Sequence, residues 1–269
     1  MRIGYSNPTF KARLAEGKYP KELTLGFENE VELMDDCDDI EDAIDRLHIK
    51  DEFLYAKEDG SLTNGVEINS HPFNFNWFLE NRTILNFTSH LDRNGLAGER
   101  TCGFHIHFNR SYFSDKHQRR LLKLVYNSPR FWEKVSQRDG EDSISRFASL
   151  TNLLERMRVG ELTWSRANKI VREGRTSHYD ALDLRGSAST IEFRIFQGTT
   201  NPNLIQTYLE VALAMVEYTR QTPFNEITTT KFIQYVYENK ALYPKAVRSN
   251  ILKGKCKYRW DKYQPLTRS

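Results

Sequence analysis

The chain has 269 residues, of which 39% are apolar, 12% aromatic and 28% charged, and its formal net charge is +3. This composition excludes a chain disordered throughout, because its apolar and aromatic side chains can build a sizeable core. It contains no apolar run of the roughly 20 residues that a membrane-spanning helix needs, and no secretory-type apolar segment near its start. Three widely spaced cysteines argue against a disulfide framework, so we expect a cytoplasmic protein without a membrane partner.

The hydrophobic periodicity predicts short strands between helices of varied length. In chain order we predict a strand over 23–33, a helix over 39–48, strands over 53–56 and 65–69, a helix over 76–91, a strand over 102–109, helices over 114–127, 129–138 and 143–158, strands over 181–184 and 190–196, and helices over 204–220 and 230–239. Because the strands come as hairpins and singles, we expect an α+β fold with a mostly antiparallel sheet. We expect a polar lead-in over 1–22 and a basic helical extension over 223–269.

Four of these strands carry polar side chains on one face. In the first strand, Glu28, Glu30 and Glu32 alternate with mainly apolar residues, and side chains alternate across a strand. Three later strands repeat this pattern, with Glu67 in one, His105 and His107 in the next, and Glu192 and Arg194 in the last. Each pattern alone is typical of a solvated strand face or a surface ion pair. Their repetition across nearly 170 residues favours one shared site.

A sheet built from these strands would collect several carboxylates, two histidines and an arginine on one face. Two unit charges about 4 Å apart cost roughly 4 kcal/mol at an effective dielectric near 20, so such a cluster takes up protons or binds cations. Carboxylate oxygens with a few imidazoles suit Mg²⁺ or Mn²⁺, and an arginine suits phosphate or carboxylate. This combination indicates phosphoryl transfer from a nucleotide.

Five motifs in this order resemble the amidoligase family of the carboxylate–amine ligase superfamily, relatives of glutamine synthetase and glutamate–cysteine ligase. The motifs are Gly-x-Glu-x-Glu at 26–30, Asp-Gly-Ser-Leu at 59–62, Gly-Val-Glu-Ile-Asn-Ser-His-Pro at 65–72, Cys-Gly-Phe-His-Ile-His at 102–107, and Ile-Glu-Phe-Arg-Ile-Phe-Gln-Gly-Thr at 191–199. The resemblance covers about residues 23–222, which would form the catalytic domain. It implies a curved antiparallel sheet with helices packed on one face, like the glutamine synthetase catalytic domain.

The resemblance also implies a two-step reaction that forms an amide, or isopeptide-like, bond. ATP phosphorylates a carboxylate of a small molecule or peptide, and an amine then displaces phosphate from the acyl phosphate. The resemblance implies two ions: one Mg²⁺ or Mn²⁺ that bridges the ATP phosphates, bound by Glu28, His105 and Glu192, and a second ion bound by Glu30 and Glu67. It implies that Arg194 neutralises the transferring phosphoryl group and that Arg185 contacts phosphate or carboxylate. His107 would lie beside the site.

Two positions depart from the family pattern. The family usually has Asn where this chain has Asp183, and an apolar residue where it has Asn29. Neither change removes an expected ligand, but both affect the surroundings of the substrate. Cys102 shares the apolar face of its strand with Phe104, which predicts a buried structural cysteine and not a nucleophile.

Two other functions are compatible with the sequence. A phosphotransferase of the guanidino-kinase type could use the same scaffold and phosphorylate an amine without forming an amide. A non-catalytic module could bind nucleic acid or protein through residues 223–269, which contain ten Lys and Arg against three Asp and Glu. Tyr258, Trp260 and Tyr263 alternate with basic residues there, a composition that suits single-stranded nucleic acid. We favour the ligase, with the tail as an accessory to it.

Overall fold

The computed structural model describes residues 13–14, 23–33, 53–93, 96–98, 101–138, 148–185 and 189–254. The predicted helix over 39–48, nearly all of the lead-in, the first residues of the predicted helix over 143–158 and the three tail aromatics lie outside these ranges. The described residues form two compact units: one contains those up to Phe108 together with Gln197–Ile205, and the other contains those within Asn109–Phe196 and from Gln206 to Gly254. Within the described residues, no helix is long and apolar enough to cross a membrane.

The first unit contains an antiparallel sheet. Its strands are β1 (Leu25–Leu33), β2 (Leu54–Lys57), β3 (Gly65–Ser70), β4 (Leu96–Ala97) and β5 (Gly103–Asn109). The order is β2-β3-β1-β5, and β4 pairs with the end of β1 on the same side as β5. All of these pairs are antiparallel, as the sequence predicts.

Aromatic residues form the core of this unit on the apolar face of the sheet. Phe27 of β1 stacks on Phe104 of β5 with ring centroids 5.2 Å apart, and Phe73 packs edge-on against Phe27. Cys102 is fully buried, as predicted. Alternation along β1 and β5 therefore divides the sheet into an apolar side and a polar side.

The prediction of a helix over 76–91 is wrong about its continuity. The segment forms helix α1 (Phe75–Asn81), a 3₁₀ helix (Arg82–Phe87) and helix α2 (Thr88–Arg93). The side-chain amide of Asn81 donates to the carbonyl oxygen of Trp77 at 2.8 Å, and the Thr88 hydroxyl donates to the carbonyl oxygen of Leu85 at 2.8 Å. Side chains that bond to nearby carbonyls compete with the α-helical ladder, which accounts for the interruption.

The second unit is mainly helical and contains the antiparallel pair of β6 (Leu182–Asp183) and β7 (Thr190–Gln197). Its helices are α3 (Asp115–Tyr126), α4 (Pro129–Ser136), α5 (Asn152–Arg156), α6 (Trp164–Glu173), α7 (Pro202–Gln221), α8 (Thr229–Glu238) and α9 (Pro244–Arg248), with the last residue of β7 and the first four of α7 belonging to the first unit. The α+β class is thus confirmed.

Helix α6 is absent from the predicted elements, whereas α9 lies within the extension over 223–269 that is predicted to be helical. Of the residues in α6, only Ala167 and Ile170 are buried, so its apolar stripe is too narrow to stand out. A local signal was nevertheless present, because the Thr163 hydroxyl caps the helix by accepting from the backbone N–H of Arg166.

Asn29 explains one departure from the family pattern. Its side-chain amide donates to the carbonyl oxygen of Thr199 at 2.9 Å, and its oxygen accepts from the backbone N–H of Thr199 at 3.0 Å. Both residues are fully buried. The amide therefore serves as a backbone-like partner for a segment that lies 170 positions later in the chain.

We expect Asn29→Leu to lower the free energy of unfolding by about 2 kcal/mol, because it leaves a buried N–H and C=O of Thr199 without partners. Equilibrium urea unfolding measures this loss. Asn168→Leu, at a half-exposed position of α6, serves as the control and should change stability by less than about 0.5 kcal/mol. Equal effects of the two substitutions would contradict the assigned role of Asn29.

Candidate functional site

The polar side of the first unit's sheet is continuous across four strands. Glu28 of β1 lies opposite His105 of β5, and Glu30 of β1 lies opposite Glu67 of β3. On the edge strand β2, Lys57 lies opposite Glu67. Directly opposed residues in antiparallel strands project from the same face. The resulting face carries Tyr55, Lys57, Glu67, Asn69, Glu28, Glu30, Glu32, His105 and His107.

Glu28 and the two histidines form the first polar group on this face. One carboxylate oxygen of Glu28 lies 3.3 Å from His107 Nε2 and 3.4 Å from His105 Nδ1. Burial raises the pKa of Glu28, but the electrostatic interactions and hydrogen bonds with His107 and His105 together hold it well below its ordinary value. Glu28 is therefore an ionised carboxylate flanked by two imidazoles.

Glu30, Asp59 and Glu67 form the second group. One carboxylate oxygen from each lies within 4.8 Å of the other two. Glu30 Oε2 accepts from the backbone N–H of Gly103 at 2.5 Å. His105 links the two groups, because its Nε2 lies 3.8 Å from Glu30 Oε1 while its Nδ1 faces Glu28.

Asp59 is the member of this group that sequence reasoning missed. It lies in the connection between β2 and β3, where its carboxylate accepts from the backbone N–H of Ser61 at 2.7 Å. The Asp-Gly-Ser sequence is also an ordinary turn signal, and its place in the family motif did not distinguish a turn residue from a ligand. Only the β2–β3 hairpin brings this carboxylate to Glu30 and Glu67.

The charge of this second group is only partly compensated. Glu67 Oε1 accepts from Lys57 Nζ at 3.1 Å and from Asn69 Nδ2 at 2.7 Å. Burial and the charge of Glu28 nevertheless raise the pKa of Glu67 to about 7, while hydrogen bonds from Ser61 and Glu67 bring the pKa of Asp59 below its ordinary value despite burial. The partners of Glu67 thus offset only part of the cost of ionising it in this buried cluster.

Glu32 shares this face but has a different role. Its carboxylate accepts from the backbone N–H of Thr63 at 3.0 Å and from the Thr101 hydroxyl at 3.3 Å. It therefore holds two connecting segments in place, and it provides a matched comparison for the other glutamates of β1.

In the second unit, Glu192 and Arg194 form an ion pair on β7. Arg194 Nε is buried and has no hydrogen-bond partner within the described residues. Arg138 supports the strand from behind, since its Nε donates to the carbonyl oxygen of Ile195 at 3.1 Å. The Arg194 side chain is thus held by its neighbour and retains unused donor capacity.

Arg185 is held by Asp183 in the same unit. Its Nε and backbone N–H donate to the Asp183 carboxylate at 2.8 and 2.9 Å, and its terminal nitrogen lies 2.7 Å from the same group. Burial raises the pKa of Asp183, but the hydrogen bonds from Arg185 lower it below its ordinary value. Asp183 therefore holds Arg185 through its negative charge. The neutral Asn that the family usually has at this position would hold an arginine only weakly.

The fold and these side chains define an α+β protein with a carboxylate- and histidine-rich sheet face. The family model described as "Putative amidoligase enzyme" matches residues 45–216, more than half of the chain. The chain belongs to this amidoligase family, which makes it an enzyme of the ligase type. The match begins after β1, so Glu28 and Glu30 precede the matched residues. No curated protein matches the chain.

We expect the raised pKa of Glu67 to make stability depend on pH. A carboxyl group whose pKa rises from 4.5 to about 7 on folding stabilises the folded state below pH 4.5, and this contribution is lost as pH rises to 7. The loss should amount to about 3 kcal/mol in a chelator-containing buffer. The variant Glu67→Gln should not show this loss of stability when its urea unfolding is measured between these pH values.

Glu32→Gln is the matched control, because Glu32 is on the same face but outside the cluster. It should keep the pH dependence of the unsubstituted protein. If Glu67→Gln kept it as well, the cluster would not be the source of the effect.

Proposed function

We propose that the protein is an ATP- and Mg²⁺-dependent ligase that joins a carboxylate to an amine through an acyl phosphate. The observation that carries this proposal is the pair of linked groups on one sheet face, Glu28 with two histidines and Glu30 with Asp59 and Glu67. Membership of the amidoligase family supports a ligase. The two groups offer ligands for the divalent cations that phosphoryl transfer from ATP requires.

The donor set of the second group fits a divalent cation. Three carboxylates offer the hard oxygen ligands that Mg²⁺ and Mn²⁺ prefer. The hydrogen bonds and the ion pair that the protein provides offset only part of their negative charge. We infer that Glu30, Asp59 and Glu67 hold one ion and that Glu28 and His105 contribute to another. When bound, such ions neutralise phosphate charge. The metal-binding role of Glu192 is a prediction from the family resemblance.

The proposed reaction balances in two steps. A substrate carboxylate oxygen bonds to the terminal phosphorus of ATP and ADP leaves; the amine nitrogen then bonds to the acyl carbon and inorganic phosphate leaves. We assign Arg194 to neutralising the transferred phosphoryl group and Arg185, oriented by Asp183, to contacting phosphate or carboxylate. The attacking amine must lose a proton, and we assign its acceptance to His107, which Glu28 orients.

The test supplies ATP and Mg²⁺ with pools of amino acids, polyamines and peptides, and measures ADP release together with product mass. A condensed amide product is the expected result. An amine that gains a phosphoryl group, with no amide, would contradict the ligase and establish the guanidino-kinase type of reaction. Absence of nucleotide binding with the metal present would contradict both.

We expect Glu28→Gln to reduce amide formation by at least about 100-fold, because it removes a charge that the site needs in the transition state. Glu32→Gln is the control on the same strand and face, and should retain activity within about twofold. Initial rates at saturating ATP measure both variants. Equal activity of the two would contradict the assignment of Glu28.

We expect Asp59→Asn to weaken Mn²⁺ binding by about tenfold or more, because an amide oxygen replaces an anionic ligand. Isothermal titration calorimetry of the full chain measures this change. Asp115→Asn, at the exposed start of α3, should leave the affinity unchanged. Unaltered binding in Asp59→Asn would remove this residue from the site.

A further inference from the structure

Lys57 brings an ammonium group to the acidic cluster. It is the last residue of the edge strand β2 and lies opposite Glu67 in the sheet. Its Nζ is 3.1 Å from Glu67 Oε1, and the two side chains are 23% and 5% exposed. Glu67 is thus nearly buried, whereas Lys57 reaches it from a more open position. The protein itself places a monovalent cation at the carboxylates that we assign to a divalent one.

The two cations compete for the same charge. Glu67 Oε1 already accepts from Lys57 and from Asn69, so both lone-pair directions of this oxygen are in use. An ammonium and a divalent ion a few ångströms apart also repel each other strongly in a partly buried site. A divalent ion at this cluster would therefore bind more weakly while Lys57 remains at Glu67.

We propose that Lys57 is a resident counter-cation of the Glu30–Asp59–Glu67 cluster, which a divalent cation must displace from Glu67 in order to bind. This inference rests on the proposed metal site and adds a residue that controls its occupancy. Without metal, the ammonium offsets part of the repulsion among the carboxylates. With metal, the same charge opposes binding, so Lys57 sets the metal concentration at which the site fills.

The test compares Mn²⁺ binding to the full chain by isothermal titration calorimetry. We expect Lys57→Met to bind Mn²⁺ about tenfold more tightly, because the competing charge is gone. Lys57→Arg keeps that charge and should stay within about threefold of the unsubstituted protein. Lys231→Met is the matched control, because Lys231 pairs with Glu226 on the exposed surface of the second unit.

Thermal unfolding supplies a second measurement. In chelator, Lys57→Met should melt at a lower temperature than the unsubstituted protein, and Mn²⁺ should raise its melting temperature by a larger amount. Should Lys57→Met fail to fold, Lys57→Gln retains an N–H donor for Glu67 without the charge and should show the same gain in affinity.

The outcomes separate this inference from the proposed function. If the unsubstituted protein binds Mn²⁺ and the neutral variants bind it equally or more weakly, the role of Lys57 is overturned while the metal site stands. If neither the unsubstituted protein nor the neutral variants bind Mn²⁺, the metal site and the role of Lys57 both fail. Tighter binding by the neutral variants alone supports the competition.

Discussion

Repulsion among carboxylates on one face of a sheet is the constraint on which this structure depends. Glu30 and Glu67 lie opposite each other on neighbouring strands and are both buried. Like charges at such positions destabilise a sheet unless nearby groups compensate them. The protein supplies a backbone N–H to Glu30 and an ammonium and an amide to Glu67. These partners are sufficient to fold the sheet but leave Glu67 with a pKa of about 7, so the face remains receptive to cations.

The polar face and the core of the first unit follow from one property of β1, its two-residue alternation. The side that carries Glu28 and Glu30 cannot be changed independently of the side that packs Phe27 against Phe104. A slip of one residue in the pairing would expose the aromatic rings and bury the glutamates. Packing on the apolar face therefore also fixes the register of the carboxylates on the polar face.

The sequence predicted which face of each strand the polar side chains occupy, because alternation is a local property. Glu28, Glu67 and His105 could be assigned to faces from their immediate neighbours. Strand pairing, by contrast, depends on contacts between distant segments, so the distances among these groups could not be predicted. Asp59 belongs to a turn, where alternation carries no information, and only the family motif marked it.

The helical errors have a similar origin. Periodicity predicted a continuous helix through Asn81 because it does not register a side chain that bonds to a nearby carbonyl. The narrow apolar stripe of α6 concealed that helix, although Thr163 capped it in the usual way. In both cases the structure follows hydrogen bonds from side chains to nearby backbone groups, which the hydrophobic pattern does not contain.

The two departures from the family pattern also have physical explanations of this kind. Asn29 binds both backbone groups of Thr199, and a side chain added at Gly198 would place its Cβ 2.3 Å from the carbonyl oxygen of Glu30. Gly198, near the end of the last motif, is therefore required for close packing against β1, next to a candidate ligand. Asp183 likewise fixes the position of a nearby group, since its carboxylate pairs with Arg185. Both side chains thus fix the positions of neighbouring backbone or side-chain groups through hydrogen bonds, and neither takes the place of a candidate ligand.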